Sequence, residues 1–131
     1  MSATGAQIEF ANRSRLVGRL FDLGYEVFVP VIDTGIDLVA YRPSDREYRL
    51  VQLKTRWTID RKYLDRDIWI AFPGEQPTEW FMAPHDALVR LGEQRGYCAT
   101  SSWQDKGQYH LSPLPAALAD AMGPWRIVTS N

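Results

Sequence analysis

The sequence predicts a mixed α/β or α+β domain with one central sheet, and its length, its composition and the order of its patterns all favour this class. The chain has 131 residues, of which 45% are hydrophobic and 24% are charged. A chain of this length fits one domain, residues 1–131, and can bury a core of its own. Helix-like and strand-like patterns follow one another in the order α-β-β-β-(α)-β-β-α-α-β, which is typical of a sheet covered by helices.

The first predicted helix covers residues 5–23. Thr4 and Gln7 form a capping-box pattern at its start, because a hydroxyl and an amide at this spacing can satisfy two unpaired backbone N–H groups. Gly24 stands where a left-handed residue ends a helix. The apolar residues at helical spacing, which we expect to form the buried face, are Phe10, Val17, Leu20 and Phe21.

Three strands are predicted next, and together they form an antiparallel meander. They cover residues 25–30, 36–41 and 48–55. Turn-forming residues at 34–35 and at 43–45 separate the three strands.

The sequence of the second half of the chain predicts two more strands, then two more helices and a weak last strand. In chain order these elements are expected at residues 68–72, 79–82, 86–94, 113–123 and 125–128. The first of the two strands is a near-continuous apolar run, so we expect it to be buried on both faces. The polar segment 58–64, between the two halves, is predicted to form a helical turn.

The cysteine count and the hydropathy exclude several classes of protein. The chain has one cysteine, Cys98, so no disulfide forms within it, and with only His85 and His110 beside it a four-ligand Cys/His zinc site is excluded. Both histidines are expected to have structural or surface roles. The longest uncharged run, Gly107 to Ala119, has 13 residues, fewer than the roughly 20 apolar residues of a membrane-spanning helix. We therefore expect a cytoplasmic protein without a membrane partner.

Charge is distributed unevenly along the chain, although the formal net charge is only −1. Residues 42–66 carry eight basic and four acidic side chains, a local net charge of +4. Such a segment can contact a phosphate backbone, and a solvated charged face is the alternative. The residues that we expect to contact nucleic acid, with the tryptophan stacking on a base, are Arg13, Arg49, Arg56, Trp57, Arg61 and Lys62.

Asp37, Gln52 and Lys54 are polar residues set in otherwise apolar strands, where an unpaired charge is costly. Gln52 and Lys54 alternate with Val51 and Leu53, so both project from one face of their strand. If this strand pairs with the preceding one as a hairpin, Asp37 lies close to them. A carboxylate and an amide oxygen suit a hard cation such as Mg²⁺, and a neighbouring lysine can orient a water that the cation activates.

The segment from the first helix to the second half of the sheet, about residues 5–82, resembles the core of the PD-(D/E)XK nuclease superfamily. The matching residues are Asp37, Gln52 and Lys54, with Gln52 in the place of the second acid. This variant is similar to the branch that includes some intron-encoded homing endonucleases and related small bacterial proteins. Gly35 and Ile36 precede Asp37, where the superfamily usually has a proline. The resemblance implies a restriction-endonuclease-like fold, with a mixed sheet of four or more strands flanked by helices, and phosphodiester hydrolysis that depends on Mg²⁺ or Mn²⁺.

Many members of this superfamily place a helical glutamate at the edge of the site, and here the resemblance implies Glu9 as a metal ligand beside Asp37 and Gln52. Such a ligand would replace the negative charge that is missing at Gln52. The alternative is an exposed pair of Glu9 with Arg13, four residues apart on the helix. Weaker alternatives for this ligand are Asp33 and Glu26.

The sequence therefore predicts a metal-dependent endonuclease that acts on DNA, with Asp37, Gln52, Lys54 and Glu9 at its active site. The alternative is a non-catalytic module on the same fold that binds nucleic acid or a protein. In that case Asp37 and Lys54 would form a structural ion pair, although apolar residues usually serve as well. A chain this small spans one scissile strand, so we expect cleavage of a duplex to need a homo-oligomer, a dimer or a tetramer.

Overall fold

The computed structural model describes residues 3–76 and 78–127. The helices within these ranges are α1 (Gly5–Asp22), α2 (His85–Gln94) and α3 (Ala116–Ala121). The strands within them, in chain order, are β1 (Glu26–Phe28), β2 (Leu38–Arg42), β3 (Glu47–Leu53), β4 (Trp57–Asp60), β5 (Ile68–Pro73), β6 (Trp80–Pro84), β7 (Gln108–Leu111) and β8 (Arg126–Ile127).

A mixed sheet of six strands forms the centre of the fold, in the spatial order β1-β2-β3-β5-β6-β8. Among the described strands, β3 and β5 are parallel neighbours, and the other neighbours in this sheet are antiparallel. β4 and β7 pair separately as a small antiparallel sheet. The predicted α+β class, a mixed sheet flanked by helices, is confirmed.

Helix α1 begins at the predicted capping box, with the Thr4 hydroxyl accepting from the Gln7 N–H and the Gln7 side chain accepting from the Thr4 N–H. It ends just before Gly24, whose φ of +86° is left-handed. Its buried face differs from the prediction. Leu16 and Leu20 are fully buried, as we expected for Leu20, whereas Phe10 and Phe21 are 70% and 58% exposed. At about 100° per residue, the two phenylalanines lie on the neighbouring face of the helix.

Two core clusters lie on the two faces of the central sheet. One joins α1 to the sheet and includes Leu16, Leu20, Leu38, Val51 and Met82. The other joins the opposite face to α2 and to the small sheet, and includes Trp57, Ile59, Ile70, Phe72 and Leu88. Because side chains alternate along β3, Val51 packs under α1 while Gln52 projects to the other side.

The segment that was predicted as a polar helical turn is a buried strand over its first half. All four residues of β4 are buried, and a single turn of 3₁₀ helix at Arg61–Tyr63 follows it. Its partner β7 was not predicted, because the pairing of Trp57 with Leu111 joins segments far apart in sequence. Of the predicted last strand, residues 125–128, Val128 lies outside the described residues.

Among the described residues, no helix combines the length and the apolar character needed to cross a membrane.

Candidate active site

A cleft of about 370 Å³ lies where β2 begins and β3 ends, beside the first half of α1. Its lining residues are Glu9, Asn12, Arg13, Asp33, Asp37, Gln52, Leu53, Lys54 and Thr55. The fold thus brings together Asp37, Gln52, Lys54 and Glu9, the four residues that the sequence predicted for an active site, and Arg13 with them.

Asp37 is fixed by the strand that faces it. Its backbone N–H donates to the Val51 carbonyl at 2.9 Å, and its Oδ2 accepts from the Leu53 N–H at 2.8 Å. These bonds continue the register in which Leu38 is opposite Val51, so Asp37 stands opposite Gln52 just outside β2. In the described part of the chain the second carboxylate oxygen, Oδ1, has no hydrogen-bond donor and is available to a ligand.

Gln52 presents a carbonyl oxygen that nothing in the described part of the chain satisfies. Its Oε1 is buried and has no hydrogen-bond partner there. A buried polar group left unpaired costs about 1–3 kcal/mol, and in native proteins such a group usually has a water, an ion or a functional partner. An amide oxygen beside a carboxylate is a donor set that suits a hard divalent cation. Asp37 and Gln52 therefore fit Mg²⁺ or Mn²⁺.

Lys54 follows β3 directly and is anchored by its backbone N–H, which donates to the Ala71 carbonyl of β5 at 2.9 Å. Its ammonium lies 5.4 Å from the centre of the Tyr63 ring, within cation–π range. Among the described residues no salt bridge joins Asp37 to Lys54. The two charges line the same cleft without the direct contact that a structural Asp37–Lys54 ion pair would make.

Helix α1 supplies the second wall of the cleft. Glu9 and Arg13 lie on the same side of α1 as Leu16 and Leu20 but nearer its N-terminus, about two turns before Leu16 and Leu20 respectively, where they line the cleft. No salt bridge between Glu9 and Arg13 exists in the described part of the chain. The alternative surface pair is thus not formed, and the Glu9 carboxylate remains available.

The cleft lining carries more negative than positive charge. Glu9, Asp33 and Asp37 stand against Arg13 and Lys54, a formal charge of −1. This charge would repel a phosphodiester, and one divalent cation would reverse its sign. No three His, Cys, Asp or Glu side chains of the described residues are grouped so that they could hold a metal. A cation in this cleft would therefore need the Gln52 oxygen and ligands from water or substrate.

Three of the residues expected to contact nucleic acid make contacts within the fold. Trp57 is 1% exposed inside the core, so the prediction that it stacks on a base is wrong. Arg49 lies on the face of β3 opposite Gln52, with its guanidinium 4.0 Å from the Trp69 ring centre, and so lies outside the Asp37 cleft. Arg61 is exposed, but its Nη2 donates to the Trp103 carbonyl at 2.6 Å, so part of its guanidinium is engaged within the fold.

The remaining basic residues are accessible. Arg13 and Arg56 are exposed, and the Lys62 side chain is 61% exposed although its ammonium lies 3.8 Å from Asp60 Oδ2. Of these three residues, Arg13 lines the cleft, whereas Arg56 and Lys62 are exposed outside its lining.

Both histidines contact residues of β4 that are far from them in sequence. His85 is buried, its Nε2 accepts from the Asp60 N–H at 3.0 Å, and burial lowers its pKa against the opposing charge of Asp86. Its role is structural, as expected. His110 Nδ1 lies 3.1 Å from the Thr58 hydroxyl, and burial, followed by the charges of Arg56 and Lys54, lowers its pKa. β7 thus pairs His110 with Thr58 of β4, which no local signal indicated.

Asn12 is a further cleft residue that the sequence did not predict. It is 8% exposed, and its Oδ1 accepts from the Arg15 guanidinium at 2.9 Å. A single asparagine on a helix carries no local signal of a site.

Comparison with known proteins identifies the fold. No protein-family model and no curated protein matches the sequence. The solved structure of a bacterial homing endonuclease, I-Ssp6803I, is similar, with a TM-score of 0.56, 16% identity, and coverage of 87% of this chain and 79% of that chain. The fold is nuclease-like. At this identity the similarity concerns the fold alone.

Proposed function

We propose that this chain is a metal-dependent endonuclease that hydrolyses phosphodiesters of DNA, with the Gln-containing active site of the PD-(D/E)XK superfamily. The observation that carries the proposal is the buried, unpaired Oε1 of Gln52 in the same cleft as Asp37, whose Oδ1 has no hydrogen-bond donor among the described residues. Lys54 lies in the same cleft, and the fold is similar to that of a bacterial homing endonuclease.

Each cleft residue has a distinct role in this proposal. Asp37 and Gln52 would hold Mg²⁺ or Mn²⁺, Glu9 would add one ligand from α1, and water or substrate would supply the rest. When bound, the cation lowers the pKa of a water and polarises a phosphoryl oxygen. The Lys54 ammonium orients the attacking water and stabilises the negative charge that develops on the phosphate. Arg13, Arg56 and Lys62 contact the flanking phosphates.

The proposed domain comprises the whole of residues 1–131. What supports this is that the two core clusters share the central sheet, so neither can form without it. One such domain has one active-site cleft and therefore cuts one strand. Cleavage of both strands of a duplex would then require a homo-oligomer.

A second candidate function is a non-catalytic module that binds nucleic acid or a protein. It is favoured by one observation, namely that the described residues lack a group of three acidic or other metal-binding side chains. In that case the cleft would bind its partner without hydrolysis.

Nicking of supercoiled and branched DNA by the purified chain tests the proposal. We expect nicking with MgCl₂ or MnCl₂, none with EDTA, and none by Asp37→Asn, which keeps the shape of the side chain. A matched control, Asp120→Asn, changes an exposed aspartate of α3 and should nick normally. DNA binding without nicking under any metal condition would support the binding module instead.

A further inference from the structure

The ring of Tyr63 is a buried group to which the proposed mechanism gives no role. It is 2% exposed and is not among the residues that line the cleft. Two ammonium groups lie over its ring, with Lys54 Nζ 5.4 Å and Lys62 Nζ 5.2 Å from the ring centre. Both distances are within the roughly 6 Å at which a cation is attracted to an aromatic ring. Tyr63 therefore contacts the lysine of the proposed active site from the core side.

The position of Tyr63 is fixed by the fold before any ligand binds. Asp60 caps the 3₁₀ turn Arg61–Tyr63, because its Oδ1 accepts from the Lys62 N–H at 3.0 Å. The Asp60 N–H donates to His85 Nε2 at 3.0 Å. The His85 ring also packs edge-on against the Tyr63 ring, with 5.6 Å between the ring centres and 80° between the planes. A capped turn and a buried histidine thus hold the tyrosine ring in place.

The loop before Asp37 packs against the same ring. A Cβ added at Gly35 would lie 3.8 Å from Tyr63 Cε1, which is an ordinary packing distance, so the loop backbone lies beside the ring. Gly35 is two residues before Asp37 in the chain. The ring therefore contacts both the segment that leads to Asp37 and the side chain of Lys54, which are two parts of the proposed active site.

Lys54 depends on this ring more than Lys62 does. The Lys62 ammonium has Asp60 Oδ2 at 3.8 Å, whereas Lys54 forms no salt bridge with any described residue. A lysine side chain has many rotamers, and it loses conformational freedom when it is held in one of them. A carboxylate would hold the ammonium but neutralise its charge. An aromatic ring holds the ammonium and leaves its charge available to a phosphate.

The Tyr63 ring is a neutral partner for this ammonium. Burial raises the pKa of the Tyr63 hydroxyl, against the opposing charge of Lys62. The hydroxyl therefore stays protonated at neutral pH, because burial disfavours the phenolate. Tyr63 thus acts neither as a proton acceptor nor as an anionic partner of Lys54.

We propose that Tyr63 is a positioning residue, whose ring holds the Lys54 ammonium in the cleft without neutralising it. This inference rests on the proposed function, which gives Lys54 the orientation of the attacking water. Tyr63 touches neither the substrate nor the metal in this account, so its removal acts on the chemical step through Lys54. Asp37 keeps its two hydrogen bonds to β3 when Tyr63 is replaced, and Mg²⁺ affinity should therefore be unchanged.

The test compares single-turnover nicking at saturating Mg²⁺ and DNA. Tyr63→Phe keeps the face of the ring and should nick within about twofold of the wild type. Tyr63→Leu should nick at least about tenfold more slowly, because a displacement of about 1 Å from the reacting geometry can cost about a hundredfold. Tyr63→Met, whose flexible side chain can fill the space of the ring, should be slowed in the same way. Phe72→Leu changes a 1% exposed ring of the same core, and this matched control should nick normally below its Tm.

A double-variant cycle separates positioning from a loss of structure. Lys54→Ala removes the group on which Tyr63 acts, so adding Tyr63→Leu should not slow this variant further. If Tyr63→Leu slowed the wild type and Lys54→Ala by the same factor, its role would be merely structural and the inference would be overturned. Nicking by Tyr63→Leu at the wild-type rate would also overturn the inference, and it would leave the proposed function standing.

Proton NMR provides a measurement that needs no activity. The ring current of Tyr63 should shift the Lys54 Hε resonances upfield in the wild type and in Tyr63→Phe, and this shift should disappear in Tyr63→Leu and Tyr63→Met. Lys54→Ala assigns the resonances. Unshifted Lys54 resonances in a wild type that nicks DNA would overturn the inference alone. A wild type that nicks no DNA under any metal condition would overturn the proposed function, and the role of Tyr63 with it.

Discussion

At the scale of single residues, the Gln52 side chain makes the fold less stable, and neither β3 nor the core needs a glutamine at this position. Its buried Oε1 lacks a partner within the described chain, and a leucine or valine at the same place would avoid the roughly 1–3 kcal/mol of an unpaired buried group. The neighbouring Asp37 is held without a ligand by two hydrogen bonds to β3, one from its backbone N–H and one to its Oδ2. A cation would satisfy the oxygen that the fold leaves unpaired.

The first prediction concerns this oxygen. Gln52→Leu should keep the free energy of unfolding in EDTA within about 1 kcal/mol of the wild type or raise it, and it should abolish the rise in Tm that excess MgCl₂ causes. Gln52→Glu should tighten Mg²⁺ binding, because it adds a charged ligand. Tm measured with and without MgCl₂ checks both. Gln108→Leu, at an exposed glutamine of β7, is the control. A metal-dependent rise in Tm that survives in Gln52→Leu would contradict the ligand role.

The second prediction concerns Lys54, whose proposed role is confined to the transition state. Lys54→Ala should lower the single-turnover nicking rate by about 10²-fold or more. Mg²⁺ affinity, measured by calorimetry, should hold or rise slightly, since a nearby positive charge is removed. Lys106→Ala, at an exposed lysine distant from the cleft in sequence, is the control. Parallel losses of rate and of Mg²⁺ affinity would mean that Lys54 supports the fold of the cleft instead.

At the scale of secondary-structure elements, patterns among residues close in sequence predicted the elements correctly. Strand pairings between residues far apart in sequence were not predicted. Thr4 and Gln7 predict the start of α1 because a capping box is complete within four residues. The β2–β3 hairpin places Asp37 opposite Gln52 because its partners are neighbours along the chain. Trp57 was misassigned because its strand pairs with β7, about fifty residues away, and its surroundings in sequence are polar.

The burial of α1 shows a second feature that could not be predicted from the sequence, namely which face of the helix is buried. Helical spacing indicates that an apolar face exists, but the sheet determines which face it contacts. Phe10 and Phe21 therefore remain exposed while Leu16 is buried. For the same reason Glu9 could be assigned to the site from the resemblance, whereas its place on the cleft wall required the structure.

The third prediction tests the contribution of α1 to the cleft. Glu9→Gln should weaken Mg²⁺ binding by about tenfold or more, because two unit charges about 4 Å apart attract by about 1 kcal/mol in water and about 4 kcal/mol near a protein surface, and it should not change Tm in EDTA. Glu93→Gln, at an exposed glutamate of α2, should leave both quantities unchanged. Calorimetry measures the affinity. Equal Mg²⁺ affinity for Glu9→Gln and the wild type would show that Glu9 is an ordinary surface residue.

At the scale of the whole molecule, basic residues that looked equivalent in sequence divide into two groups. Arg49 and Arg61 are bound to aromatic rings and carbonyls of the fold. Arg13, Arg56 and Lys62 are exposed, and Arg13 lines the cleft. The local net charge of +4 therefore overstates the charge available to a phosphate backbone.

The fourth prediction follows from this division. Arg56→Ala/Lys62→Ala should weaken DNA binding, and the slope of log K against log salt concentration should become shallower by roughly two units, one for each phosphate that is no longer neutralised. Arg90→Ala/Arg95→Ala removes two exposed arginines from α2 and its end, and should leave the slope unchanged. Fluorescence anisotropy over a range of salt concentrations measures both. An unchanged slope for Arg56→Ala/Lys62→Ala would show that the basic segment 42–66 is a solvated face that does not contact DNA.

The proposed chemistry depends most on Asp37 and Gln52, which together are expected to hold a divalent cation in the cleft. Anomalous diffraction from crystals soaked in MnCl₂ examines this pair without relying on activity. We expect a peak within coordination distance, roughly 2–2.5 Å, of Asp37 Oδ1 and Gln52 Oε1, and no peak at that place in crystals of Gln52→Leu. A wild-type cleft without a peak, or a peak that persists in Gln52→Leu, would show that these two oxygens do not bind the cation.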